Sequence, residues 1–328
     1  MDQEQNVFDI KLYASEKASL KRLAGKYGIA MIFLVLNNTF APYLFLRIYS
    51  FFASTENLTY TELLALNAVS AYLLPVILLF FLFREEIRAF VPDKGYKPFR
   101  GEAFCLFTAG MTTGIFGTLL TKLINMVIDK LFGTGEIEDA FAGMEPQNMT
   151  EFGVFAFFIC IIAPIAEEIM FRSLLLKPLR AYGDLTAVLV SGIVFGLYHG
   201  NFDQLAYATL LGLFFSTVAV KYNSIVPVTI LHAANNIIVT CASDLGGACA
   251  DAPQQVKDIC EKIVYICGSL SAILAFLGFF LLIICIAKKC FVFRTVNRYL
   301  SNKEALAAFV STPLAIIGIL VMFTLFMN

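Results

Sequence analysis

Apolar residues in this chain come in blocks of about 20, separated by short polar stretches. A helix of that length rises 1.5 Å per residue and crosses about 30 Å of hydrocarbon. A core helix of a soluble domain has no need of it. Inside a bilayer the chain must satisfy its own backbone groups, which leaves helices or closed barrels, and unbroken apolar runs argue for helices. Composition agrees: 59% of the 328 residues are hydrophobic and 15% are charged, against about 25% charged in soluble domains. The mean hydropathy is +0.77. The expected fold is all-α, a polytopic transmembrane helix bundle of eight or nine spans.

Nine candidate spans fall at about 28–50, 60–83, 103–127, 152–176, 184–200, 203–220, 225–242, 262–287 and 306–327. The fifth to seventh are short, so eight is the natural competing count. The organisation expected from them begins with a cytoplasmic N-terminal segment, 1–27, and a leading three-helix transmembrane part, 28–127. An acidic extracytoplasmic loop, 128–150, separates these from the part carrying the chemistry, 151–243, and C-terminal transmembrane helices occupy 262–327. The first 27 residues are too polar for a secretory signal, so the first span reads as an uncleaved anchor. The basic residues Lys11, Lys17, Lys21, Arg22 and Lys26 suit a flank that holds the N-terminus inside, or a surface against anionic lipid.

Orientation follows from Lys and Arg. With a cytoplasmic N-terminus, inside segments hold Lys11 to Lys26, then Arg84, Arg88, Lys94, Lys97 and Arg100. They also hold Lys177, Arg180, Lys221, Lys288, Lys289, Arg294, Arg298 and Lys303. Only Arg47, Lys122, Lys130, Lys257 and Lys262 fall outside, where the loops are acidic instead, as at Glu136, Glu138, Asp139 and Glu145. The expected location is a bacterial plasma membrane, with membrane lipid as one partner. The net charge of −1 identifies no partner, and no basic patch with interleaved aromatics suggests nucleic acid. None of the eight cysteines forms a metal-type pair. Cys105, Cys160, Cys267 and Cys285 read as small hydrophobes. Cys249 and Cys260, in the outside loop 244–261, can form a disulfide if that face is oxidising.

Ionisable residues within membrane helices are costly and usually functional. Three segments break the apolar pattern. The fourth span carries Glu167, Glu168 and Arg172 just after Pro164; the fifth ends with Phe195 and His199; the seventh carries His232 and Asn236. His199 and His232 are the only histidines in the chain. A single membrane histidine is as often satisfied by a backbone carbonyl as it is functional, but two beside a buried Glu-Glu pair point to chemistry. On a helix, Glu168 and Arg172 share a face and suit an ion pair, which leaves Glu167 free. Pro164 removes a backbone donor and opens space beside the carboxylates. Counting residues from the loops places Glu167 and His199 at one depth and His232 closer to the inside surface.

Glu-Glu-x-x-x-Arg, Phe-x-x-x-His and His-x-x-x-Asn, in that order on separate helices, resemble the CAAX protease and bacteriocin-processing family. The family includes type II CAAX prenyl endopeptidases and bacterial Abi proteins. The resemblance covers about residues 150–242 and departs in the extra C-terminal spans. It implies an intramembrane endopeptidase in which Glu167 and His199 activate a water while His232 and Asn236 stabilise the oxyanion. Glu168, Arg172 and Phe195 support them. These residue types suit those roles: carboxylate and imidazole transfer protons, and Asn and His donate to a developing oxyanion. A cofactor-free reaction is favoured, with zinc held by Glu167, His199 and His232 as the second choice. The expected partner is a membrane-associated peptide or protein: a prenylated C-terminus, a leader peptide, a peptide pheromone or a membrane anchor. The competing class is a transporter or a non-catalytic immunity or scaffold protein, since buried charges also mark ion paths.

Overall fold

The computed structural model describes residues 2–53, 55, 58–89, 100–132, 145–288, 293 and 299–327. Most of the acidic loop, with Gly133, Gly135, Glu136, Glu138, Asp139 and Gly143, lies outside the described residues, as do Lys94, Lys97, Lys289, Arg294 and Arg298. All regular structure among the described residues is helical. α1 is Asp2–Tyr49, α2 Tyr60–Ala89 and α4 Met149–Tyr182, with α3, Arg100–Phe132, between them. α5 is Asp184–Tyr198, α6 Phe202–Tyr222 and α7 Val226–Ser243. The short α8, Leu245–Ala248, leads to the long α9, Gln254–Ala287. α10, Asn302–Val310, and α11, Pro313–Phe323, complete the chain.

Local chemistry starts these helices where they start. Thr59 and Ser301 head capping boxes closed by Glu62 and Glu304, and the side chains of Asn148 and Asn201 accept from the first turns of α4 and α6. Each satisfies backbone donors that helix geometry leaves unpaired. α6 stops where Asn223 turns left-handed, with φ 49°.

All nine apolar segments of the sequence form helix, but they do not all read as full crossings. Among the described residues, seven helices are long and apolar enough to span a membrane. α5 has 15 residues, about 22 Å of helix, short of a full hydrocarbon core. The last segment breaks into α10 and α11, which meet at 69° and raise the count to eight if taken together. The break has a plain cause: Pro313 at the start of α11 has no amide hydrogen and holds Thr312 extended. At the other end, α1 runs unbroken from residue 2 to residue 49. The basic N-terminal stretch is therefore continuous with the first span, and Leu20, Leu23, Ala24 and Tyr27 are buried in the bundle. The chain is a multi-pass integral membrane protein, and α9 presents exposed Ile273, Phe276, Leu277 and Ile283 as a lipid-facing side.

α5 and α6 pack along their lengths, α3 lies against α6 and α9, and α1 lies against α11. The α5–α6 contact is close because it is made through glycine: a Cβ on Gly192 would stand 2.7 Å from the Leu213 amide nitrogen. The main core joins α1, α2, α4, α5, α6, α10 and α11. A disulfide joins Cys249 and Cys260 across the segment between α8 and α9.

Candidate active site

α4 is not a regular α-helix. Its turn at Phe158–Ile162 is π-helical, a short α segment Ala163–Glu168 follows, and Ile169–Leu176 is π-helical again. Such widened turns are frequent at functional sites. The first has a visible origin in the sequence. The Ala163 amide reaches back five residues to the Phe158 carbonyl. Pro164, next in line, has no amide hydrogen, so the Ile159 carbonyl has no helical partner in that pattern. Asn236 of α7 fills the gap, its Nδ2 donating to that carbonyl at 3.0 Å.

The six-residue segment between the widened turns carries both glutamates. Glu168 is fully buried, and its Oε1 lies 3.2 Å from an Arg172 guanidinium nitrogen. The same oxygen is 3.0 Å from Nδ1 of His232. A carboxylate accepts, so Nδ1 carries a hydrogen and Nε2 is the nitrogen left to face the other side of the ring. There it stands 3.8 Å from Oε2 of Glu167. His232 therefore sits between the two carboxylates, packed against the Phe215 ring at 4.9 Å between centroids.

Arg172, with 1% of its surface exposed, is enclosed by polar and aromatic partners. It donates to the Gly212 carbonyl at 3.1 Å, and its guanidinium lies 4.5 Å from the centre of the Phe195 ring and 5.6 Å from that of Phe215. Ion pairing, a hydrogen bond and cation–π contact together offset the cost of burying the cation. Phe195 is the hub of this arrangement. Its ring also meets His199 edge-on at 4.9 Å and His232 at 6.2 Å.

His199 closes α5. Its Nδ1 is 2.8 Å from the Phe195 carbonyl oxygen, which can only accept. Nδ1 therefore carries the hydrogen and Nε2 keeps a lone pair that the protein's own hydrogen bonds leave available. Glu167, His232 and Arg172 are all near enough to act on it electrostatically. The second oxygen of the pair's other member, Glu167 Oε1, lies 3.4 Å from the hydroxyl of Tyr72 in α2.

Glu167, Glu168, Arg172, Phe195, His199 and His232 thus come from three helices to one place, with Asn236 beside them. The expectation that His232 lies nearer the inside surface is not met, because it touches both carboxylates. Residue counts measure length along a helix and not level in a bundle. Glu167 is also less isolated than its helical phase suggests, since Tyr72 and His232 both face it. Sequence reasoning missed Tyr72, which arrives from the leading three-helix part. It also missed Asn235 and Tyr207: Asn235 donates to the Tyr207 hydroxyl at 3.2 Å and to Oδ1 of Asn236 at 3.4 Å, which fixes the Asn236 amide the right way round. The Asn-Asn pair was a signal for Asn235, but nothing in the sequence marks either tyrosine.

Among the described residues, no three His, Cys, Asp or Glu side chains are grouped so that they could hold a metal ion. Glu167, His199 and His232 do not form a ligand set as they stand: His232 turns both nitrogens to carboxylates and His199 spends Nδ1 on a carbonyl.

Residues 150–238 match the family described as type II CAAX prenyl endopeptidase Rce1-like. The match takes in all three motifs up to Asn236 and covers just over a quarter of the chain. It agrees with the resemblance read from the motifs and carries the general class, a CAAX-type intramembrane endopeptidase. No curated protein and no solved structure matches the chain.

Proposed function

We propose that the chain hydrolyses a peptide bond in a membrane-associated peptide, either prenylated or carrying a leader, using a water activated by Glu167 and His199. The observation that carries this reading is His232 seated between Glu167 and Glu168, with His199 joined to it across the Phe195 ring and its Nε2 left available for chemistry. Glu167 retains 8% exposure where Glu168 has none, so a water can reach only the first of the two carboxylates. Glu167 accepts the proton of that water, and Nε2 of His199 accepts its second hydrogen bond and aims it. Carrying a proton, Nε2 of His232 donates towards the Glu167 side, where the tetrahedral oxyanion develops. Glu168 holds the other nitrogen of that ring and Arg172 balances Glu168. In the final step Glu167 returns its proton to the leaving amine.

The direct test is cleavage of a prenylated or leader peptide by the purified protein in detergent, with and without a chelator. The expected result is cleavage that the chelator leaves unchanged. Activity lost on stripping and restored by zinc would establish the metal-dependent alternative. Solute uptake into proteoliposomes without cleavage would establish the transporter. Mass spectrometry of membrane peptides from cells with the wild-type chain or Glu167→Ala would then identify the substrate.

Asn236 has two tasks in this reading. One amide hydrogen goes to Ile159, and the second supplies an oxyanion donor. Asn236→Ala is expected to lower turnover about a hundredfold, the usual cost of one such donor. A turnover equal to wild type would make Asn236 a packing residue that only satisfies the widened turn.

A further inference from the structure

α2 also contains a widened turn, and it repeats the design of the one at Phe158–Ile162. Val69–Leu73 is π-helical, with the Leu74 amide reaching back five residues to the Val69 carbonyl. Pro75 follows and has no amide hydrogen. The two carbonyls that a residue at position 75 would otherwise use are Ser70, five back, and Ala71, four back. Side chains from other helices take both. Asn37 of α1 donates its Nδ2 to the Ser70 carbonyl at 2.7 Å, and Tyr198 of α5 donates its hydroxyl to the Ala71 carbonyl at 2.6 Å.

The first residue after this clamp, three before the proline, is Tyr72. Its hydroxyl is the one that lies 3.4 Å from Oε1 of Glu167. That is long for an O–H···O bond, as contacts in substrate-free sites often are before substrate tightens them. A regular α-helix through this stretch would rotate Tyr72 away from its present direction, because a widened turn carries an extra residue. Three helices are therefore committed to holding one hydroxyl beside the carboxylate. His232 faces the opposite oxygen, Oε2. Glu167 is thus faced at one oxygen by α2, at 3.4 Å, and at the other by α7, at 3.8 Å.

We propose that Tyr72 is a further positioning residue of the site: its hydroxyl orients Glu167 through Oε1, and the clamped turn of α2 holds it there. This rests on the reading of Glu167 as the group that activates water. A carboxylate free to rotate about its last bond presents its lone pairs in many directions, and a fixed donor on one oxygen leaves the other aimed at the water. The leading helices are then part of the catalytic unit, and Pro75 and Asn37 matter through the turn they maintain.

Tyr72→Phe tests the assignment, since it keeps the ring and removes only the hydroxyl. A thermal melt establishes that the variant is folded. kcat is expected to fall about tenfold to a hundredfold, the scale of one hydrogen bond to a charged group, with KM close to wild type. Incorporating 3-fluorotyrosine at position 72, which keeps the hydroxyl, should restore turnover. Infrared difference spectra supply a readout that needs no catalysis: the carboxylate band should shift between wild type and Tyr72→Phe, and the shift should vanish when both carry Glu167→Gln. A carboxylate band that does not move, or a Tyr72→Phe protein with wild-type kcat, would overturn the assignment. Equal losses with phenylalanine and 3-fluorotyrosine would also overturn it, by showing that packing alone matters. A wild-type protein that shows the band shift but cleaves no peptide overturns the protease reading instead.

Discussion

Glu167→Gln is expected to leave the protein folded and to reduce cleavage about a thousandfold or more. An amide of the same shape cannot take a proton from water, and loss of a positioned general base removes a factor of about a hundred to ten thousand. The fold should tolerate the change because it removes a charge from a nearly buried position, where charge is costly. The hydroxyl of Tyr72 can still donate to the amide oxygen. Purified wild type and variant, compared by thermal melt and by peptide cleavage, decide the matter. A Glu167→Gln protein that cleaves well, beside a folded but inactive Glu168→Gln protein, would reverse the roles of the two glutamates.

Glu168→Gln should fail in the other way. Glu168 and Arg172 are fully buried and face each other, and Glu168 also holds His232. Removing one member of a buried ion pair leaves the other uncompensated and costs about 3–5 kcal/mol. The melting transition should fall by on the order of 10 °C, while some cleavage survives in the fraction that folds. Replacing both members, Glu168→Gln with Arg172→Met, should recover much of the stability, because a pair replaced as a unit leaves no orphan charge. The double variant should remain impaired in turnover, since Nδ1 of His232 loses its anionic partner. A Glu168→Gln melt indistinguishable from wild type would show that Arg172 is balanced by its carbonyl and aromatic contacts alone.

Much of this was legible in the sequence. Blocks of apolar residues gave the helices, since helix length and hydrocarbon thickness are both fixed. The Glu168–Arg172 pair was legible from a spacing of four, and it forms although Ile169–Leu176 winds as a wider helix. Two long side chains reach across the difference. What stayed hidden needed three dimensions. The contact of Tyr72 with Glu167 joins residues 95 apart in the chain, and no local pattern records it. The depth of His232 was misjudged because counting along α7 says nothing of how α7 sits against α4. The break between α10 and α11 was available in principle, since Pro313 follows Ser311 and Thr312, but the apolar run on either side concealed it.

The π-helical turn at Phe158–Ile162 has a consequence for how α4 tolerates change. It holds one residue more than an α-helical path needs, so it acts as an insertion absorbed without breaking the helix. Deleting one residue there, such as the lipid-exposed Ile161, would remove the excess and let α4 wind evenly, with Glu167 and Glu168 still turned towards His232. Deleting one residue from the regular turns at Met149–Phe157 instead would turn the two sides of the cut about 100° relative to each other. Every side chain of the site would still be present in either deleted chain. The alignment of α4 with its neighbours is thus buffered at the widened turn and not in the regular turns before it, so one-residue length changes in the same helix should differ sharply in effect according to which side of Phe158 they fall.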